Sequence, residues 1–339
     1  MFPDSRPDDL VPSRSIIEDA ARILAAHTRR TPTIHWSGSN GAEAALKLEL
    51  MQHAGSFKTR GAYANLLLRD VPPGGVAAAS GGNHGAAVAF AAHRLGIPAT
   101  IFVPEISSPA KVERIRAAGA QLIISGQSYA DALVACDAWI AARRDDAAGT
   151  AVMPVHAYDQ FETIVGQATL AAECEEQVPE ATTVLVGVGG GGLLAGFAAW
   201  YDGRVRLIGV EPDTAPSLTA ALAAGRPVDV DVDPRGIAAD SLGARRLGAR
   251  AFALVRQRVS RAVLVSDDEI AAAQQYLWES LRVVAEPGGA TAFAALLSGR
   301  YAPAPAERLL VVLSGGNTSA VQFGSVRAVR KPMNARRTR

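Results

Sequence analysis

Cysteine is almost missing from this sequence. Only Cys136 and Cys174 occur, each inside an alanine-rich helical pattern, which argues against a disulfide scaffold and for a reducing compartment, the cytoplasm. Long apolar runs are missing too: no stretch reaches the length of an uncharged membrane span. The first fifteen residues alternate acids, prolines and arginines, so no secretory signal is expected there. Charge of one sign is also lacking, since 34 basic side chains meet 33 acidic ones for a net charge of +1. Six of the cations lie in 327–339 with no acid among them, which leaves 28 basic against 33 acidic in the body. A mildly acidic body is not a nucleic-acid surface. The stretch 326–339 reads as a disordered, solubilising tail. No His-Glu-x-x-His, paired-Cys or His-cluster pattern supplies a metal centre, and no Gly-x-Ser-x-Gly elbow or Cys/His pair supplies a nucleophile.

What is present is an α/β pattern. A chain of 339 residues, 49% hydrophobic and 20% charged, is expected to form about two soluble globular domains. Ser15 to Thr28 carries Ile16, Ile17, Ala20, Ile23 and Leu24 at helical spacing, and Ala45 to Glu49 alternates as a strand. From Val76 onwards strands and helices alternate: strands at 76–79, 99–103, 121–124 and 151–153, helices at 86–95, 109–118 and 129–143. A turn is expected at 145–149 and a helix at 158–177. A second set follows, with strands at 183–186, 206–210, 262–265 and 309–313. Ser266-Asp267-Asp268-Glu269 has capping-box form ahead of a helix striped by Ile270, Ala273, Leu277 and Leu281. Strands apolar on both faces imply parallel sheets covered on both sides. Two open, mostly parallel α/β units with glycine loops at strand ends leave a crevice between them, where ligands bind.

Four local patterns carry chemistry. Lys58 lies in Gly55-Ser56-Phe57-Lys58-Thr59-Arg60-Gly61-Ala62, at the start of a helix. Taken alone it is either a solvated helix-start lysine or a partly desolvated amine whose lowered pKa makes it a nucleophile or base. Gly189-Gly190-Gly191-Gly192 follows one strand and precedes a helix. Its backbone N–H groups suit a phosphate, and its spacing is not the dinucleotide fingerprint. Ser80-Gly81-Gly82-Asn83-His84-Gly85 is a second such turn, suited either to a carboxylate and a ring oxygen or to plain helix capping. His84 is placed outside the catalytic set. Ser314-Gly315-Gly316-Asn317 closes the last strand, which points a hydroxyl at the crevice. An amine, a phosphate cradle, a carboxylate loop and a strand-end hydroxyl together describe the needs of pyridoxal 5'-phosphate.

With Gly166-Gln167-Ala168-Thr169, Gly209-Val210-Glu211-Pro212 and Glu286-Pro287-Gly288-Gly289-Ala290 added, the chain resembles the pyridoxal-phosphate-dependent serine/threonine dehydratases of fold type II, from about Ile16 to Val321. The resemblance implies a large cofactor-binding domain at 1–45 and 155–325 and a small substrate-side domain at 46–154. It implies that Lys58, flanked by Phe57, carries the cofactor aldehyde and later handles the Cα proton. Asn83 would bond the ring's phenolic oxygen, Gly189 to Gly192 the phosphate and Ser314 the ring nitrogen, with Glu286 near the cofactor. Ser80, Gly81, Gly82, Asn83 and His84 would take the substrate carboxylate. The activity implied is deaminating β-elimination from L-threonine, L-serine or a related 3-hydroxy amino acid, giving a 2-oxo acid and ammonia. Alternatives are a β-replacement synthase of the same fold and a non-catalytic cofactor-binding protein. A homodimer is implied, without nucleic-acid or membrane partners.

Three departures matter. Racemases of this family carry a second serine where Gly81 stands, so racemisation is expected to be poor. Members with a divalent cation after the Glu-Pro turn use an acid where Ser217 stands, so no metal is expected beside Glu211 and Ala215. The family's Gly-Gln-Gly-Thr is Gly-Gln-Ala-Thr here. No regulatory domain is expected after Ser314.

Overall fold

Strands of four to seven residues with valine, leucine and isoleucine on both faces are stable only between two layers of helix. Two such sheets form in the computed structural model, which describes residues 11–38, 41–105, 107, 109–143 and 150–318. The turn expected at 145–149 and the basic tail at 326–339 lie outside the described residues.

The chain opens with α1 (Arg14–Leu24), whose first turn is capped by Ser13 Oγ, 3.3 Å from the Ile16 N–H. β1 (Thr33–Ser37) and β2 (Glu43–Lys47) pair antiparallel. Two single 3₁₀ turns, Glu49–Met51 and His53–Gly55, lead into α2 (Lys58–Leu68). Then come β3 (Val76–Ala79), α3 (Asn83–Leu95), β4 (Ala99–Val103), α4 (Pro109–Ala117), β5 (Gln121–Ile124), α5 (Tyr129–Ala141) and β6 (Met153–Pro154). The chain continues with α6 (Phe161–Gln177), β7 (Thr183–Gly187), α7 (Gly192–Tyr201), β8 (Arg206–Pro212) and α8 (Ser217–Ala224). It closes with α9 (Ala239–Leu242), α10 (Ala249–Val255), β9 (Val259–Val265), α11 (Asp267–Leu281), α12 (Pro287–Leu297) and β10 (Leu309–Val312).

The six-stranded sheet has the order β1-β2-β10-β7-β8-β9 and the four-stranded sheet β5-β4-β3-β6. Every pairing except β1 with β2 is parallel. The twofold period of the strands sorts their side chains between layers. Val184, Val186, Leu310 and Val312 enter one core cluster with α6 and α7, while Leu185, Leu309 and Val311 enter another with α11 and α12. In the small sheet Val76 and Ala78 face α2 and α3, and Ala77 and Ala79 face α5.

The expected division after residue 45 falls inside β2, whose five residues all pair within the six-stranded sheet. That lobe therefore runs through Lys47 before the chain leaves it. The helix expected from Tyr158 starts at Phe161. His156 Nδ1 accepts the N–H groups of Tyr158 and Asp159, and Gln160 Oε1 accepts that of His156, so 156–160 is a turn. The box at Ser266 and Glu269 forms in both directions and starts α11.

Candidate active site

Lys58 is the first residue of α2, and its neighbours are pinned to the end of β10. Ser56 bridges Gly315, Phe57 N–H donates to Ser314 O at 3.0 Å, and Gly316 N–H donates to Gly55 O at 2.9 Å. The Lys58 ammonium donates to Ala157 O at 2.6 Å and stands 5.0 Å from the centre of the Phe57 ring. Burial is the cause that acts on it, lowering its pKa to about 8. Lys58 and Ser314 thus come from strand and helix ends that share hydrogen bonds.

Asn83 opens α3 from the other lobe. Its Nδ2 donates to Glu286 Oε1 at 2.5 Å and its Oδ1 accepts from Asn317 Nδ2 at 2.7 Å. Asn317 also donates to Ala54 O at 2.7 Å, beside the Lys58 loop. The carboxylate and the second amide fix which end of Asn83 carries the donors, and its Nδ2 has another hydrogen to give. Glu286 is buried at the N-terminus of α12, where Glu286 N–H bonds Gly315 O at 3.1 Å. Asn83, Glu286 and Asn317 therefore form one chain of contacts across the crevice.

The tetraglycine is shaped by close neighbours. A Cβ at Gly189 would lie 2.9 Å from Leu242 Cα and one at Gly192 2.7 Å from Tyr158 O, while Gly191 has φ 86°. Backbone on two sides and a left-handed turn in the middle leave glycine as the fitting residue. Two carbonyls of the loop are tied back into the protein: Gly189 O accepts from Ser217 Oγ at 2.8 Å and Gly190 O from Gly248 N–H at 3.1 Å. In a planar trans peptide the N–H points opposite to the C=O. The N–H groups of Gly190 and Gly191 are thereby turned to the side away from Ser217 and Gly248.

Helix ends separate into two kinds. α8 meets the Glu211 carboxylate, which accepts Leu218 and Thr219 N–H groups at 2.5 and 2.9 Å. α10 meets Asp159, which accepts from Ala249 and Arg250, each at 2.9 Å. α3 and α7 instead start from glycines, Gly82 and Gly191, which carry no side chain to cap them, so the positive ends of these two helices suit anions. Ser80 Oγ lies 3.2 Å from the Gly82 N–H at the entrance to α3. Gly82 itself faces Asp240 of the other lobe.

His84 stands apart from this loop. Its Nε2 bonds the Val155 carbonyl at 2.9 Å, and burial, then Lys58, push its pKa down to about 3, so the ring is a neutral donor. Motif reading missed the Ala157 carbonyl, the Asn317 amide, Tyr158 against Gly190 and Gly192, and Ser217 on Gly189. Asn317 was within reach, because it sits in the same strand-end motif as Ser314. The other three have no local signal.

The family of pyridoxal-phosphate dependent enzymes matches residues 24–315. The chain belongs to this family. It is 35% identical over 311 residues to the L-threonine ammonia-lyase of Geobacter sulfurreducens, covering 89% of this chain and 75% of that one. It is 36% identical over 323 residues to the phenylserine dehydratase of Ralstonia pickettii, covering 92% and 95%. Among solved structures, maize serine racemase superposes with a TM-score of 0.82 at 32% identity, over 91% of this chain and 95% of that one.

The residues present fit pyridoxal phosphate on the structure's own terms. A lysine with a lowered pKa and a strand-end serine lie on segments that share a hydrogen bond, and an oriented amide and a glycine loop that starts a helix complete the set. Among the described residues, the buried Ser56 hydroxyl has no hydrogen-bond partner.

Proposed function

We propose that this chain is a pyridoxal-phosphate-dependent ammonia-lyase that removes water and then ammonia from L-threonine, L-serine or a related 3-hydroxy amino acid, leaving a 2-oxo acid. The observation that carries this reading is the desolvated Lys58 amine, bonded to Ala157 O next to the Tyr158 that packs on the glycine loop at the start of α7. Lys58 would hold the cofactor's aldehyde, Gly189 to Gly192 its phosphate, Asn83 its phenolic oxygen and Ser314 its ring nitrogen. Phe57 and Glu286 would flank it. The start of α3, with Ser80, Gly81 and Gly82, would hold the substrate carboxylate. When bound, the cofactor supplies a sink for the electron pair left at Cα.

The chain's own residues set the rest. The neutral Lys58 amine takes the Cα proton from its own face of the substrate, and burial makes that neutral form accessible near pH 8. No second base stands at Gly81. A Cβ there would run into Ser107 Oγ and approach Val103 Cγ1 at 3.4 Å. One base on one face favours elimination over racemisation. Ser314 is a hydroxyl, which leaves the ring nitrogen without a carboxylate's support for the proton, and that also favours prompt loss of the β-hydroxyl.

The test is ammonia and 2-oxo acid release across threonine, serine and bulkier 3-hydroxy amino acids, each with and without an added thiol. Product that forms only with the thiol would move the chain to the β-replacement synthases. Cofactor uptake without ammonia from any substrate would leave a binding protein. We further propose a cytoplasmic homodimer, to be checked by light scattering. The exposed side chains of Ile23, Met51 and Trp278 are apolar groups available for such a contact. Among the described residues, no helix is long and apolar enough to cross a membrane.

A further inference from the structure

The resemblance raises a divalent cation beside Glu211, Ala215 and the position of Ser217, and the residues here do not fit one. Glu211 is fully buried, and its oxygens face hydrogen-bond donors. Oε1 accepts Leu218 N–H at 2.5 Å, and Oε2 accepts Thr219 N–H and Thr219 Oγ1, both at 2.9 Å. Ala215 O already accepts Ser217 N–H at 3.0 Å. The first turn of α8 presents its positive end to the carboxylate, so the charge a cation would supply is supplied by backbone dipoles. Among the described residues no group of three His, Cys, Asp or Glu side chains could hold a metal ion.

Ser217 does what remains. Its oxygen lies 3.3 Å from Glu211 Oε1 and 2.8 Å from Gly189 O. A hydroxyl has one hydrogen, and the shorter contact directs it to Gly189. That bond holds the Gly189–Gly190 peptide with its carbonyl inward and its N–H towards the crevice. We propose that Ser217, set in the helix start that Glu211 caps through the Leu218 and Thr219 N–H groups, is a positioning residue for the glycine loop and stands in for a divalent cation, so that phosphate recognition in this enzyme needs no metal. The inference rests on reading Gly189 to Gly192 as the phosphate loop.

The test compares two probes on the full chain freed of cofactor: pyridoxal 5'-phosphate and pyridoxal, which shares the aldehyde but has no phosphate. Binding is followed by the absorbance of the lysine-bound aldehyde. Ser217→Ala should weaken the phosphate form about three- to tenfold, the loss of one hydrogen bond, and leave pyridoxal unchanged. Ser217→Thr, which keeps the hydroxyl, should restore the wild-type value. Chelator followed by Mg²⁺ or Ca²⁺ should leave wild-type binding unaltered. Equal loss for both probes would mean a general packing defect and would overturn the positioning role. Affinity for the phosphate form that falls in chelator and returns with Mg²⁺ or Ca²⁺ would overturn the replacement of the cation. A wild-type chain that takes up pyridoxal but gains nothing from the phosphate would overturn the reading of the loop itself, and with it this inference.

Discussion

Lys58 leaves the chain at the first position of α2, where it bonds the carbonyl of Ala157. Burial brings its pKa from 10.5 to about 8. At pH 7 the neutral fraction rises from ~0.03% to about 10%, the ordinary consequence of such a shift. Lysine capture of the cofactor needs the neutral amine, so the rate of uptake by cofactor-free protein should climb with pH and level off above about 8. A rate still rising steeply at pH 9.5 would show an ordinary, solvated lysine. Lys58→Ala should lose the bound-aldehyde absorbance and ammonia release while far-ultraviolet circular dichroism stays native. An unchanged cofactor spectrum would remove Lys58 from the site. Gly81 gives a second residue-scale prediction. Gly81→Ser adds a hydroxyl where racemases of the resembling family have one, but Ser107 Oγ occupies the space its Cβ needs. That variant should gain no racemase activity by chiral analysis of serine and should lose ~1–3 kcal/mol of stability to overpacking. Pairing it with Ser107→Gly should recover the stability.

At the scale of elements, the glycine loop is a joint before it is a ligand site. Gly192→Ala would place a methyl against Tyr158 O, a backbone atom that can retreat only by moving the 156–160 turn. The turn is anchored in its own right, because Asp159 holds the start of α10. We expect Gly192→Ala to destabilise the cofactor-free protein by ~1–3 kcal/mol, read as a lower urea midpoint. A variant stable without cofactor but unable to bind it would mean that the glycine serves the ligand alone. The loop also shows what a sequence discloses. β7 was legible because Val184-Leu185-Val186 is apolar on both faces and is buried on both, and Lys58, Ser314 and the tetraglycine were legible as short patterns at element ends. The start of α10 was not, since the Asp159 that caps it lies 90 residues or more earlier in the chain. β1 carries Thr33, His35 and Ser37, of which His35 and Ser37 are exposed, and only its antiparallel partner makes it a strand. Contacts such as Ser217 with Gly189 are decided by how two helices are set against one sheet, and no local pattern encodes that.

For the whole molecule, a buried ionic cluster joins the sheet to the helix that presents Lys58. Lys47 of β2 pairs with Glu173 of α6 at 2.5 Å, and Arg60 of α2 pairs with Glu49 at 2.7 Å and with Glu173 at 2.9 Å. Thr31 Oγ1 closes the group on Glu49 at 2.6 Å. Two cations balance two anions, so the cluster is neutral as a unit and costly to break, ~3–5 kcal/mol when one partner of a buried pair is removed. Burial alone would raise the Glu173 pKa, but Arg60 and Lys47 overcome it and hold the carboxyl below 4.5. A depressed acid contributes stability that is complete above its unfolded value and is lost as pH falls through 4.5 towards its folded one. Glu211 works in the opposite sense. Burial raises its pKa, so protonation at falling pH favours the folded chain. The wild-type acid slope mixes the two, and a variant is needed to separate them. Glu173→Gln should lower the thermal midpoint at pH 7 and flatten its decline below pH 4.5, so that wild type and variant converge in acid. Curves that stay parallel from pH 7 to 3 would show that Glu173 carries no charge-dependent stability. The cluster would then hold α2 by packing alone, and the placement of Lys58 would not depend on pH through it.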